Sequence, residues 1–278
     1  MKEIGLAGVF LFIINGLITY KGLKNISFLR KYSFQVDEVL IHKDYKRLLT
    51  AGFLHVHWFH FGFNMLSLYF FSFHLETTVG VFKFIIIYFG SLIGGNLLAL
   101  YIHRNKEDYS AVGASGAISG IIFASIALFE DLQIGFFFIP IGIPGWLYGL
   151  LFVLVSIYGI RSQRDSIGHE AHLGGGIIGL LIAITMVPNS IFKNYIAITL
   201  VAVPTIIFIS IILIRPDFLI FKKTLVEKPE GLLDIDDKYN TEKVTKEQEL
   251  NTLLDKINEK GIKKLSKAEK ERLEELSR

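Results

Sequence analysis

Seven stretches without a single charged side chain dominate this 278-residue chain: residues 4–20, 57–75, 84–102, 112–129, 144–160, 171–187 and 195–214. Each is close to the roughly 20 residues an α-helix needs to cross the hydrocarbon of a bilayer. The expected fold is all-α: a polytopic membrane helix bundle of about seven transmembrane helices. Composition agrees, with 51% hydrophobic residues and a mean hydropathy of +0.47. The stretch Leu132 to Ile143 is also uncharged, but it is short, and Pro140 and Pro144 deny it a continuous helix. It reads as an apolar re-entrant or interfacial loop.

Charge marks a second region. Residues 215–278 hold 15 of the 29 basic and 15 of the 26 acidic residues, so the chain changes solvent near Arg215. The expected organisation is a membrane domain over 1–214 and a charged helical tail over 215–278. In the tail, Leu250, Leu253, Leu254 and Ile257 recur at helical spacing, and Gly261 is placed as a C-cap. Ser266 followed by Glu269 reads as a capping box opening a last helix with Leu273 and Leu276 on one face. A small soluble helical hairpin follows. With no cysteine, disulfides are excluded. The first apolar stretch lacks a small-residue cleavage site and is read as a retained helix.

Polar side chains inside such windows are costly and mark function by default. Ser115 lies in Gly113-Ala114-Ser115-Gly116, at the first turn of one window. His60 and Asn64 lie one helical turn apart in another, and His172 opens a third in Ala171-His172-Leu173-Gly174-Gly175. Serine is a poor nucleophile until a base takes its proton, and His172 is the imidazole to supply one. Gly116, Gly120 and Ala124 follow Ser115 at four-residue spacing, and Gly175, Gly179 and Ala183 follow His172. Such small-residue stripes let membrane helices approach closely. If the two stripes face each other, both residues reach one level. Amide hydrolysis also needs donors aimed at the developing oxyanion. The Asn64 amide, the His60 ring and the Ser115 backbone N–H are the candidates.

Two competing readings are weaker. His55, His57 and His60 crowd together, but His169-Glu170-Ala171-His172 places its imidazoles at i and i+3, whereas a zincin helix needs i and i+4. No metal and no cofactor is expected. A full triad lacks an embedded aspartate to orient His172, because Asp108 and Asp165 fall in loops, so a Ser-His dyad is the simpler arrangement.

These residues resemble the rhomboid family of intramembrane serine proteases over roughly residues 40–187. The resemblance rests on His55-x4-His60-x3-Asn64, on Gly113-Ala114-Ser115-Gly116, and on Ala171-His172 followed by Gly175 and Gly179. It implies Ser115 as nucleophile, His172 as general base and later acid, and His60, Asn64 and the Ser115 amide as the oxyanion site. His55 then corresponds to the family's structural histidine, Arg47 to its loop arginine, and Glu76 to a glutamate that pairs with that arginine. It further implies six core helices ending near 187, with residues 195–214 as the extra helix of a six-plus-one form and Lys21 to Ala51 as a membrane-dipping first loop. Three departures stand out: Lys46 replaces a common Trp, His169 a common Asn, and Ser119 a Tyr that stacks on the catalytic histidine in some relatives. The tail also resembles a short C-terminal motif attached to some bacterial rhomboids.

Eleven basic residues lie in the loops between spans one and two, three and four, and five and six, against three elsewhere outside the tail. Counted alone they place the first loop in the cytosol, whereas the resemblance usually places it outside; seven of the eleven sit in one long folded loop, and the resemblance is preferred. The expected activity is endoproteolysis of transmembrane segments of membrane proteins, in a bacterial inner membrane, among lipid, without nucleic acid, and with an unknown partner for the tail. The alternative is a catalytically inactive rhomboid-like protein that binds membrane clients. A transporter is disfavoured because no internal repeat is visible.

Overall fold

The computed structural model describes residues 5–106, 108–136, 139–162, 167–214, 249–250, 253, 256–257 and 265–277. The chain divides into two compact units, Met1–Lys222 and Lys223–Arg278. In the first, each charge-free window lies on a helix: α1 (Leu6–Lys24), α5 (Trp58–Val79), α6 (Val81–His103), α7 (Ser115–Leu128), α8 (Gly145–Ser162), α9 (His169–Met186) and α11 (Tyr195–Ile214). Short helices α2 (Ile26–Tyr32), α3 (Val36–Leu40), α4 (Arg47–Thr50) and α10 (Ser190–Lys193) fill the connections. The protein is an all-α, multi-pass membrane bundle.

Five of these helices, α1, α6, α8, α9 and α11, are long and apolar enough to cross a membrane by length and composition. The other two differ for separate reasons. Helix α5 has 22 residues but carries His60, Asn64, His74 and Glu76. Helix α7 has only 14, about 21 Å of rise. It packs against α5, α6, α8, α9 and α11, and every residue from Gly116 to Ala127 is buried. Protein rather than lipid surrounds it, which is why it is built from Gly, Ala, Ser and Ile.

The small-residue stripes do face each other. A Cβ on Gly175 would overlap the backbone of Gly116, one on Gly179 the backbone of Gly120, and one on Gly95 of α6 the carbonyl of Ala171. Helix α9 therefore meets α6 and α7 backbone to backbone, and tertiary packing outweighs the poor helix propensity of glycine.

The Lys21 to Ala51 segment is compact. Asn25 caps α2 by accepting from the Phe28 amide at 2.9 Å, and β1 (Phe34–Gln35) pairs antiparallel with β2 (Ser110–Ala111), Phe34 opposite Ala111. Phe34, Val36, Val39, Leu48 and Ala51 form a separate apolar cluster beneath it. The proline-bearing stretch after α7 is a β-hairpin, β3 (Gln133–Phe136) with β4 (Ile139–Pro144); Pro144 stands at the end of its strand, where a missing N–H is tolerated.

In the second unit, the capping box forms as the sequence indicates. The Ser266 hydroxyl accepts from the Glu269 amide at 3.2 Å, and Glu269 accepts from the Ser266 amide at 2.8 Å. The helix it opens runs Lys267–Ser277. Leu254 and Gly261 lie outside the described residues, as does 215–248.

Candidate active site

The approach to Ser115 is fixed before α7 begins. The Gly113 amide donates to the Ala51 carbonyl at 3.0 Å, and Gly113 has φ of 137°, a left-handed conformation that suits glycine. A side chain there would also meet the His60 imidazole at 3.0 Å. Ser115 is the first residue of α7, so its backbone N–H has no partner within the helix. On α9, His172 is the fourth residue, its amide donating to the Gly168 carbonyl at 3.1 Å. The Gly116–Gly175 contact brings the two helix starts together, and the Ser115 Oγ lies 2.6 Å from His172 Nε2. Both side chains are half-buried. A serine O–H pointed at an imidazole nitrogen at this separation can pass its proton directly.

His60 comes to the same place from α5, and Asn64 follows it one helical turn later. The space a Gly113 side chain would occupy is bordered by His60 Nε2 at 3.0 Å and by Ser115 Oγ at 3.5 Å. Asn64 is buried, and its amide donates to the His60 carbonyl at 3.0 Å; an amide carries two protons, so one remains for another acceptor.

The crowded histidines divide their work. His57 caps α5, its Nδ1 accepting from the His60 amide at 2.9 Å. His55 is fully buried, with Nδ1 2.8 Å from the Thr19 hydroxyl and its ring edge-on to His60 at 4.9 Å. Burial, reinforced by the neighbouring His60 and His57, lowers its pKa to about 3, so it is neutral and acts through shape.

Arg47 and Glu76 do not form the pair the resemblance implies. The buried Arg47 guanidinium takes Asp44 at 3.1 Å and Glu38 at 3.4 Å, and donates to the carbonyls of Arg30 and Ser33, both at 2.8 Å, tying the first loop together. Glu76 instead accepts from the Ala7 and Gly8 amides, each at 3.0 Å. A carboxylate in the last turn of a helix is badly placed for that helix's dipole, and the positive N-terminus of α1 compensates it.

Of the departures, Ser119 donates to the Ser115 carbonyl at 2.8 Å. Phe152 of α8 lies 6.1 Å from His172 at a 35° tilt and supplies an aromatic neighbour from a different helix. His169 stands 6.0 Å from His172, edge-on, packed where Gly159 leaves room. Nothing in an apolar run such as Leu151-Phe152-Val153 announces Phe152, and His57 is signalled only by its position just before Trp58.

A family model for the rhomboid domain matches residues 42–189, the span that carries Ser115, His172, His60 and Asn64. The chain belongs to the rhomboid family. A second model, for a family of unknown function, matches residues 233–278. Among curated proteins, this rhomboid is similar to the mitochondrial rhomboid protein 1 of Saccharomyces cerevisiae, 32% identical over 161 residues, 55% of this chain and 45% of the relative. It is also similar to the rhomboid protease AarA of Providencia stuartii, 30% identical over 180 residues, 57% of this chain and 63% of that one. An inactive rhomboid protein 1 of Drosophila melanogaster is 28% identical over 149 residues, 54% of this chain and 10% of the relative. The chain spans about half the length of the first two curated relatives it matches. The family thus includes both proteases and members named as inactive.

Proposed function

We propose that this rhomboid is an intramembrane serine endopeptidase that cleaves transmembrane segments of other membrane proteins through a Ser115–His172 dyad. The observation that carries the reading is the 2.6 Å contact between Ser115 Oγ and His172 Nε2. In the first step His172 takes the hydroxyl proton as Ser115 Oγ attacks the scissile carbonyl. The negative charge on the carbonyl oxygen is met by the Ser115 amide, the His60 ring and the Asn64 side chain. His172 then gives its proton to the leaving nitrogen, and a water activated by the same imidazole hydrolyses the acyl-enzyme. No metal or cofactor enters this scheme.

His55, Arg47, Glu76, Gly113, Gly116, Gly175 and Gly179 hold the framework in this reading. The membrane domain is residues 1–214, with 215–278 a separate tail whose partner is unknown, and the host membrane is a bacterial inner membrane. The second reading, a client-binding protein without proteolysis, is suggested by the inactive relative; the retained serine and histidine speak against it. A fluorophosphonate probe decides between them. The protease labels on Ser115, and Ser115→Ala and His172→Ala each lose both labelling and cleavage of a model transmembrane substrate while remaining folded. An unlabelled, inactive wild-type protein overturns the protease reading and leaves the second.

A further inference from the structure

A polar cluster sits beside the dyad and takes no part in the chemistry above. His103 is the last residue of α6 and Glu170 the second of α9; both side chains are buried, with His103 Nε2 2.8 Å from Glu170 Oε1. The Tyr109 ring stacks on the His103 imidazole, 3.7 Å between centroids and 12° between planes. Burial of the phenol, with the Glu170 carboxylate second, pushes its pKa above the ordinary tyrosine range, so Tyr109 stays neutral. Its carbonyl accepts from the Val36 amide at 3.2 Å, and Phe34 meets its ring edge-on at 6.1 Å.

Two segments leave this cluster. One is β2, which follows Tyr109 directly and leads through Gly113 to Ser115. The other is α9, which carries His172 two residues beyond Glu170. The glycine contacts set how closely α7 and α9 approach, but small residues offer little resistance to one helix turning against the other. A carboxylate in the first turn of α9, held by the end of α6, does resist it. Because Glu170 lies two residues before His172 on α9, a turn of that helix that carries His172 away from Ser115 also displaces Glu170 from His103.

We propose that His103, Glu170 and Tyr109 form a brace that positions His172 against Ser115, an inference that rests on the dyad reading. None of the three meets substrate; they are positioning residues.

The test compares His103→Leu with His103→Gln, which keeps an N–H for Glu170, and with Tyr109→Leu, which removes the stack and the Phe34 contact but leaves the Glu170–His103 pair in place. Turnover and KM on a transmembrane substrate, and the fluorophosphonate labelling rate, are measured per folded molecule beside the thermal midpoint. The brace predicts that His103→Leu lowers kcat and labelling roughly 10- to 100-fold, the scale of a small misplacement, with KM little changed, and that His103→Gln recovers most of the loss. Normal turnover in folded His103→Leu overturns it, as does His103→Gln being equally impaired. If His103→Leu does not fold, Tyr109→Leu decides in the same way, a fall in kcat supporting the brace and unchanged turnover overturning it. Because the chain has no cysteine, spin labels at Ser110→Cys and Ile167→Cys, both exposed positions, report the two segments without reference to activity. Their distance distribution broadens in the Leu variant and narrows again in the Gln variant if the brace exists, and is identical in all variants if it does not. An inactive wild type with this broadening defeats the dyad reading and leaves the brace standing.

Discussion

Single side chains give the sharpest tests. Asn64→Ala removes a donor that matters most once negative charge develops, so kcat should fall by about 10²–10³-fold, equivalent to about 2.7–4 kcal/mol, with KM nearly unchanged. Because the Asn64 amide also donates to its own helix at the His60 carbonyl, a packing role predicts the reverse: a lowered thermal midpoint with normal turnover. His55 yields a pH dependence. Its pKa is about 6.5 when exposed and about 3 in the fold, so the unfolded chain takes up a proton that the folded one refuses. Its contribution is complete above pH 6.5 and is lost as the pH falls from there toward 3, by up to about 1.4 kcal/mol per pH unit. Unfolding in detergent across that window should show a weaker slope in His55→Gln than in wild type; equal slopes refute the assignment. Residues at this scale were legible in the sequence where chemistry made them conspicuous. Ser115, His172, His60 and Asn64 stand out because polar groups in apolar windows need a reason. Phe152 does not, since an aromatic residue in an apolar run has no signature, and the partner of Glu76 was unreadable because a carboxylate will accept from any donor the fold brings within reach.

Among the elements, the contrast between two glycines of bundle helices separates close approach from mere flexibility. Gly175 lies against the Gly116 backbone, whereas nothing lies within 4 Å of a side chain added at Gly62. Gly175→Ala should therefore cost about 1–3 kcal/mol and reduce turnover by parting the dyad, while Gly62→Ala should stabilise α5 by about 0.5–1 kcal/mol. Thermal midpoints and turnover of the two variants check both; a harmless Gly175→Ala would mean that α7 and α9 have slack. The seven windows locate these helices well because apolar length is a property of sequence alone. The small-residue stripes indicate which faces meet. The hairpin after α7 is less legible, since prolines exclude a helix without specifying a strand, and α7 itself is shorter than its window because its surroundings are protein.

At the scale of the molecule, the charged region from 215 onward is separable from the membrane unit in the proposed organisation. A chain ending at Ile214 should insert, fold and label with fluorophosphonate at the wild-type rate; loss of labelling with an intact thermal midpoint would make the tail part of the enzyme. The change of composition near Arg215 is plain in the sequence, but its purpose is not, because a solvated amphipathic helix such as Lys267–Ser277 suits many partners equally.

The carboxylate that closes the start of α1 carries a consequence in time. Ala7 and Glu76 are 69 residues apart, and at about 5–20 residues per second the ribosome reaches the acceptor roughly 3 to 14 s after the donors. Throughout that interval the first span has bare amides at its leading end, which water or a lipid phosphate must serve until α5 emerges. Its final seat in the membrane is thus settled late, by a helix not yet made when it first enters.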